Sequence, residues 1–438
     1  MGSYHSNGAE PFGPLNRVSP CQAEPFSIIN IINLRSECKK KRNNCHFCAD
    51  DAIFYVVLTR RSPMLAKFSV KNFKNFKESF TLDLTQTKQY GFSKDCVKND
   101  IVKTGLIYGP NSIGKSNLGR AIFDIVLGLT DKQKRYDLYL SYQNALSPGA
   151  YVEFEYEFRF DQDVVVYRYW KTSFEDFVYE QLLINGQDMI SRLPNASTFT
   201  SNLDGTESLR TEALSSKISV LRYIRANTML SESKNNKLFL KTLHFVDNML
   251  QFWCLLENSY QGYSIGGALI EDEIIKQGHL PDLENFLNEC DVKCRLASRQ
   301  VQNRQMLFFN FDNHLLPFWE NASTGTKSLT LFYFWYFHLL SNDAPSFVFI
   351  DEFDAFYHER ASMQIIRRLK KTKQTQVLLT THCSNLLTNE LLRPDCAFEM
   401  PKDTGFKPIV LGPLSSKTGK ELREAHNIPK MFRAGAFD

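Results

Sequence analysis

Apolar and polar residues alternate along much of the first half of the chain, as they do in strands that are buried on one face. Phe68 and Val70, for example, alternate with Lys67, Ser69 and Lys71. The same alternation recurs in the segments 80–84, 151–160, 164–170 and 179–184. Together these segments predict an antiparallel β lobe.

Other parts of the chain have the spacing of helices or of fully buried strands. Apolar residues recur three and four positions apart in 117–127, 237–257 and 280–296, which predicts helices. The segment 328–340 is apolar enough to predict a buried helix. The mainly apolar runs 104–108, 347–350 and 376–381 predict buried strands. No heptad pattern is sustained, which excludes a long coiled-coil arm.

A glycine-rich segment follows the strand predicted at 104–108 and precedes the helix predicted at 117–127. It has the spacing G-x-x-x-x-G-K-[ST], and this strand–loop–helix context favours a phosphate site. Backbone N–H groups and the start of the helix would face phosphate oxygens. Lys115 would reach the β- and γ-phosphates, and Ser116 would bind Mg²⁺ through its hydroxyl. The candidate nucleotide-binding residues of this loop are Gly109, Asn111, Ser112, Gly114, Lys115, Ser116 and Asn117.

Three further stretches carry candidate chemistry. The strand predicted at 347–350 ends in Asp351 and Glu352, which are placed to support Mg²⁺ and to polarise an attacking water. The next predicted strand ends in His382, which suits a sensor of the γ-phosphate. A polar stretch, 323–327, opens the predicted buried helix with Ser323 and Gly325.

Length, composition and charge limit the function classes. A chain of 438 residues allows two or three domains, and a net charge of +4 is too small to indicate a nucleic-acid-binding protein by itself. No apolar run is long enough for a transmembrane helix, and the start lacks the pattern of a signal peptide. Ten scattered cysteines fit free thiols in a reducing cytosol, which favours a cytoplasmic location.

Residues 1–63 differ from the rest and predict a poorly structured extension. They contain a basic run at 39–42 and one C-x-x-C, formed by Cys45 and Cys48. Because a zinc knuckle needs two such pairs, zinc is disfavoured. Met64 is an alternative natural start, which would make the upstream residues a translated leader.

The order of these elements resembles the ABC-type ATPases of the branch that includes SMC, SbcC and RecF. The stretch 67–76 is similar to the opening strand of that branch. The signature at 323–327 and the tail at 428–437 resemble the bacterial abortive-infection group of ATPases, often labelled AAA-type. The resemblance implies an α/β fold, namely an ABC-type P-loop ATPase head with an antiparallel β lobe and a short inserted helical lobe. The domains expected are an extension at 1–63, the N-terminal half of the head at 64–190, a helical insertion at 191–300 and the C-terminal half at 301–438.

The resemblance also implies roles and partners. ATP and Mg²⁺ would be the ligands, Asp351 would support the metal, Glu352 would be the base and His382 the sensor. Ser323 and Gly325 would act on the nucleotide of a neighbouring copy, so the active unit would be a homo-oligomer built from head-to-tail dimers. The glutamine loop of ABC ATPases has only Gln181 as a candidate, and the loop after Glu352 offers Asp354 or His358 for the dimer contact.

The group implies a role in anti-phage defence. Such ATPases resemble sensors that hold a separate toxic effector until a phage product arrives. One such effector is a TOPRIM nuclease, as in the phage anti-restriction-induced defence system, and another is an HNH nuclease, as in the Septu type. Too few residues follow His382 for an appended nuclease domain. The alternative is a DNA-maintenance ATPase of the SbcC or RecF kind that binds DNA through the basic run 367–371, and a transporter motor fits the opening strand and signature less well.

Overall fold

The computed structural model describes residues 63–437 except 133–135, 195, 213, 256–258, 264–268, 303, 313 and 403–404. The chain divides into Met1–Arg60 and Arg61–Asp438, and the described residues all belong to the second unit. The expectations for the N-terminal extension, including its C-x-x-C, lie outside the described residues.

The described residues form both strands and helices. The strands are β1 (Met64–Lys71), β2 (Phe80–Asp83), β3 (Val97–Lys98), β4 (Ile101–Val102), β5 (Thr104–Tyr108), β6 (Val152–Phe160), β7 (Asp163–Lys171), β8 (Phe177–Ile184), β9 (Gln187–Arg192), β10 (Thr200–Ser201), β11 (Met249–Trp253), β12 (Ser259–Gly262), β13 (Leu296–Val301), β14 (Arg304–Phe311), β15 (His314–Pro317), β16 (Phe347–Asp351), β17 (Gln376–Thr381), β18 (Ala397–Glu399) and β19 (Ile409–Leu411). The helices are α1 (Lys115–Ile122), α2 (Asp124–Leu129), α3 (Val220–Asn227), α4 (Lys234–Asp247), α5 (Ile270–Lys276), α6 (Leu280–Glu289), α7 (Phe318–Asn321), α8 (Thr324–Leu339), α9 (Glu359–Lys370) and α10 (Ile428–Arg433).

One sheet is the predicted antiparallel lobe. Its strand order is β10-β9-β8-β7-β6-β1-β2-β19, and every neighbouring pair from β10 to β2 is antiparallel. Only β19 runs parallel to its neighbour, β2. The alternation of buried and half-buried residues along β6 is complete, so the prediction made from the polar pattern is confirmed.

A second sheet holds the elements that carry the candidate chemistry. Its order is β12-β11-β16-β17-β5-β18, and all strands except β12 are parallel. Helix α1 packs on one face, where Gly119 lies against Phe349, and α8 packs on the other, where Trp335 meets Phe252 edge-on. The fold is therefore α/β. Because parallel strands end at the same edge, the loops after β5, β16 and β17 meet there.

Two of the predicted helices are shorter than the spacing indicated. The helix predicted across 237–257 ends at Asp247, and Met249–Trp253 forms β11, which pairs in parallel with β16. A short apolar run fits a helix as well as a buried strand. Here it forms a strand, and all five of its residues are buried. The helix predicted at 280–296 ends at Glu289, and Leu296 already begins β13. The segment 191–300 thus also supplies two strands to the second sheet, and its boundaries as an insertion stay a prediction.

A fully buried ion pair joins the helices after the glycine-rich loop to the antiparallel lobe. Lys171 Nζ lies 2.6 Å from Asp124 Oδ1, and both side chains are completely buried. The same carboxylate accepts hydrogen bonds from the hydroxyls of Tyr142 (2.7 Å) and Tyr169 (2.9 Å). The pair therefore fixes the start of α2 against β7.

Replacing Lys171 with alanine is expected to lower the free energy of unfolding by about 3–5 kcal/mol, because Asp124 would remain as a buried charge without its cation. Denaturant unfolding followed by circular dichroism measures this loss. The control is Lys276→Ala, which removes an exposed lysine from its pair with Asp272, and a much smaller loss is expected there. Equal losses of unfolding free energy in the two variants would contradict a stabilising role for the buried pair.

No helix among the described residues is both long enough and apolar enough to cross a membrane.

Candidate active site

The loop between β5 and α1 has the backbone of a phosphate cradle. Gly114 caps α1 with a φ of 106°, and Ser112 is also left-handed with a φ of 64°. A Cβ on Gly114 would lie 2.3 Å from Nδ2 of Asn75, so a side chain would need both a strained φ and a displaced Asn75 amide. Glycine at this position thus serves both the turn and the close approach of the β1–β2 connection.

Lys115 is held across this loop with its ammonium group facing the end of β16. Nζ donates to the carbonyl oxygens of Gly109 (2.7 Å) and Pro110 (3.0 Å). It also lies 3.0 Å from Oε1 of Glu352, and the lysine side chain is only 3% exposed. The structure therefore brings the candidate phosphate-binding lysine and the candidate base into direct contact.

Asp351, the last residue of β16, is buried beside the helix that follows the loop. Oδ1 accepts a hydrogen bond of 2.8 Å from the Thr380 hydroxyl, and Ser116 also hydrogen-bonds to this carboxylate. Burial raises the pKa of Asp351, while the hydrogen bonds from Ser116 and Thr380 act to lower it. Hydroxyl and carboxylate oxygens are the ligands that Mg²⁺ prefers, so Ser116 and Asp351 fit a magnesium site.

Glu352 has an unusual backbone conformation for its residue type. Its φ of 50° lies in the left-handed region, and its N–H donates to Thr380 Oγ1 at 2.8 Å. Oε2 accepts a hydrogen bond of 3.0 Å from Nδ1 of His382, so the two carboxylate oxygens are shared between Lys115 and His382. Strain of this kind at a non-glycine residue is concentrated at functional sites.

A pocket of about 160 Å³ lies at the glycine-rich loop and is lined by Lys115 and Glu352 among others. It also includes Asn75, which the sequence pattern did not indicate. Asn75 lies in the turn after β1, where its Oδ1 accepts a hydrogen bond of 2.7 Å from Asn117 Nδ2. The residues lining the pocket are Asn75, Ser112, Ile113, Gly114, Lys115, Ser116, Asn117 and Glu352.

Lys74, the residue before Asn75, has a pKa lowered to about 8 by burial and by the nearby Arg120.

The candidate signature residues, Ser323 and Gly325, lie outside this pocket. Ser323 caps α8 by accepting a hydrogen bond of 3.2 Å from the N–H of Thr326, and its side chain is exposed. Gly325 faces the loop after Glu352, where a Cβ would lie 3.2 Å from the Phe356 carbonyl oxygen. Neither Ser323 nor Gly325 lines the pocket at the glycine-rich loop.

The structure places the candidates for the glutamine loop and for the dimer contact at different distances from the site. Gln181 lies on β8, where it is hydrogen-bonded to Tyr179 and Asp188 on the lobe. Asp354 lies beside the site and accepts a 2.6 Å hydrogen bond from the Thr381 hydroxyl, and burial raises its pKa. Ligand atoms of Asp354, Glu352 and His382 lie within 4.8 Å of one another. The other dimer-contact candidate is His358, which caps α9.

Arg367, Arg368 and Lys370 of the basic run proposed for DNA are paired with acidic residues. Arg367 pairs with Glu390, and Lys370 lies 3.3 Å from Asp95. Arg368 contacts two acidic residues on α6, Asp282 at 3.1 Å and Glu289 at 3.2 Å. These three cations therefore hold α9 to its neighbours.

The site combines a glycine-rich loop after β5, carboxylates at the end of β16 and a histidine after β17, and it lies beside an antiparallel lobe. These features define an ABC-type P-loop ATPase head. The sequence matches the AAA_21 family model, described as "AAA domain, putative AbiEii toxin, Type IV TA system", over residues 106–388. Because this match covers more than half of the chain, the protein belongs to that family.

Structures of SMC heads are similar to this chain at low identity. The SMC head domain from Thermotoga maritima has 14% identity and a TM-score of 0.37, and covers 76% of this chain and 94% of its own. The SMC head bound to the C-terminal winged-helix domain of ScpA has 16% identity, a TM-score of 0.37 and coverages of 80% and 98%. An SMC head with an extended coiled coil, bound to the C-terminal domain of ScpA derived from Pyrococcus furiosus, has 14% identity, a TM-score of 0.38 and coverages of 81% and 97%. No curated protein matches the chain.

Proposed function

We propose that this protein is the ATP-hydrolysing sensor of a cytoplasmic anti-phage system of the abortive-infection type, in which it controls a separate toxic effector. The observation that carries the proposal is the division of the site. Lys115 and Glu352 line one pocket, and His382 is hydrogen-bonded to Glu352. Ser323 and Gly325 do not line this pocket. A site divided in this way is completed by a second copy of the chain, so ATP can control assembly.

The residues of the pocket would divide the chemistry of hydrolysis among them. Lys115 neutralises negative charge on the phosphates, and Glu352 accepts a proton from the attacking water. His382, hydrogen-bonded to Glu352, orients this carboxylate and reads the γ-phosphate. Mg²⁺ held by Ser116 and Asp351 would neutralise charge that develops on the phosphate oxygens.

The second half of the site would come from the start of α8 in a neighbouring copy. An exposed helix N-terminus carries partial positive charge and unpaired N–H groups, which suit the γ-phosphate. Two copies arranged head to tail would therefore bury ATP between them, and hydrolysis would loosen the pair. The family description, which names a putative toxin of a type IV toxin–antitoxin system, fits a module with a second component. The proposal that this component is a TOPRIM or HNH nuclease rests on the resemblance to the anti-phage ATPases.

Mixing two inactive variants tests the divided site. Ser323→Asp keeps a good helix cap but places a negative charge where a neighbour's γ-phosphate would lie, and Lys115→Ala disables the phosphate loop. Each variant alone is expected to lose ATPase activity by about tenfold or more, which corresponds to about 1.4 kcal/mol. In mixed dimers one of the two sites has an intact loop and an intact signature, so steady-state phosphate release from the mixture should recover.

The control for this mixture is Ser323→Asn, which has the shape of aspartate and caps equally well without the charge. It should retain most of the activity. Mixtures that stay as inactive as their separate components would contradict a site shared between copies.

The effector is tested by co-purification of the wild-type protein with the product of the adjacent open reading frame, with and without ATP. ATP-dependent retention of that product would support control of an effector. Retention of neither a nuclease nor any other neighbour product would contradict it.

A further inference from the structure

Thr380 lies at the centre of the hydrogen bonds that hold the two carboxylates of the site. It is the fifth residue of β17, two positions before His382, and it is completely buried. Its hydroxyl donates to Asp351 Oδ1 at 2.8 Å and accepts from the N–H of Glu352 at 2.8 Å. One hydroxyl thus joins the candidate metal ligand to the backbone of the candidate base.

The bond to Glu352 occurs where the chain has a conformation that glutamate rarely adopts. A φ of 50° at a residue with a side chain is unfavourable and persists only where surrounding contacts enforce it. The Thr380 hydroxyl and carbonyl supply those contacts, because the carbonyl oxygen also accepts from the N–H of Phe353 at 3.2 Å. With this turn in place, the carboxylate of Glu352 lies between Lys115 and His382.

We propose that Thr380 is a positioning residue for hydrolysis: its hydroxyl fixes the left-handed turn at Glu352 and the orientation of Asp351. The assignment rests on the proposed ATPase function. The hydroxyl bonds to neither Lys115 nor any residue of the glycine-rich loop, so its loss should affect the geometry of the reaction more than the binding of ATP. A misplacement of about 1 Å of a catalytic group reduces turnover by about 100-fold.

Thr380→Val replaces the hydroxyl with a methyl group of similar volume and tests the assignment. The kcat for ATP hydrolysis is expected to fall by about 10- to 100-fold, while the KM for ATP changes less than about twofold. Thr380→Ser restores the hydroxyl and should recover most of the lost kcat. Thermal unfolding of each variant is measured alongside the kinetics.

The matched control is Thr104→Val on β5, the neighbouring strand of the same sheet. Thr104 is also completely buried, and its hydroxyl has no hydrogen-bond partner among the described residues. The same chemical change there should leave kcat and KM at wild-type values. A loss of kcat in both valine variants would identify a general packing effect and overturn the assignment.

The possible failures can be distinguished. A wild-type protein that binds ATP but never hydrolyses it would overturn the proposed function, and the positioning role with it. A wild-type ATPase whose Thr380→Val variant keeps its kcat, or whose Thr380→Ser variant does not recover, would overturn the positioning role alone.

Discussion

Glu352→Gln is expected to abolish ATP turnover while the protein continues to bind ATP. Glutamine has the shape of glutamate but cannot accept the proton of the attacking water, and loss of a general base costs about 100- to 10,000-fold in rate. The amide can still hydrogen-bond to His382, and its oxygen can still face Lys115, so the pocket keeps its form. Release of phosphate under saturating ATP and Mg²⁺ measures the loss.

The same variant is expected to bind ATP at least as tightly as the wild-type protein. The carboxylate of Glu352 lies 3.0 Å from Lys115 Nζ, so it would compete with phosphate for this ammonium group. Glutamine removes the competing charge. Isothermal titration measures the affinity, and analytical ultracentrifugation with ATP should show a dimer that no longer dissociates over time.

The control for this variant is Glu359→Gln, the same change in the first turn of α9. Glu359 accepts a hydrogen bond from the Asn385 amide at 2.9 Å and is exposed. Its replacement should leave turnover unchanged. Wild-type turnover in Glu352→Gln would show that another group accepts the proton.

The parts of the site that the sequence predicted are those in which local pattern and sheet geometry act together. The spacing of glycines and lysine requires a phosphate loop once a strand precedes it and a helix follows it. Asp351 and Glu352 are distant in sequence from both Lys115 and His382, but parallel strands bring their C-terminal ends to one edge. Their proximity to Lys115 therefore follows from the strand predictions, whereas their roles stay predictions.

Other features depend on contacts that a single sequence does not reveal. Asn75 reaches the pocket because the turn after β1 contains left-handed residues, Asn72 and Lys74, whose conformation is set by packing against the loop around Tyr142. Arg368 belongs to a basic run that could face DNA, but it is paired with acidic residues about 80 positions earlier in the chain. Likewise, Met249–Trp253 follows the helical spacing of the preceding segment and becomes a strand only because β16 offers it an edge.

Lys115→Ala is expected to weaken nucleotide binding strongly. A hydrogen bond to a charged group contributes about 1.5–3 kcal/mol, so losing the contact with the phosphates should weaken ATP binding by about 10- to 150-fold. Repulsion between ATP and the carboxylate of Glu352 adds to this loss, because Glu352 lines the pocket and would no longer face a lysine. Fluorescence anisotropy of a labelled ATP analogue measures the affinity.

The contribution of Glu352 to that loss can be separated with a double variant. In the wild-type protein Lys115 balances Glu352, so the alanine variant loses a phosphate ligand and also leaves a carboxylate facing the bound phosphates. Lys115→Ala combined with Glu352→Gln removes that charge and should recover part of the affinity, whereas Lys115→Met, which keeps the apolar stem, should bind as poorly as Lys115→Ala. Wild-type affinity in Lys115→Ala would contradict the phosphate-loop assignment. Equal ATP affinities in the single alanine variant and the double variant would show that Lys115 contributes to ATP affinity only through its contact with the phosphates. The contact between Lys115 and Glu352 would then have no effect on ATP affinity.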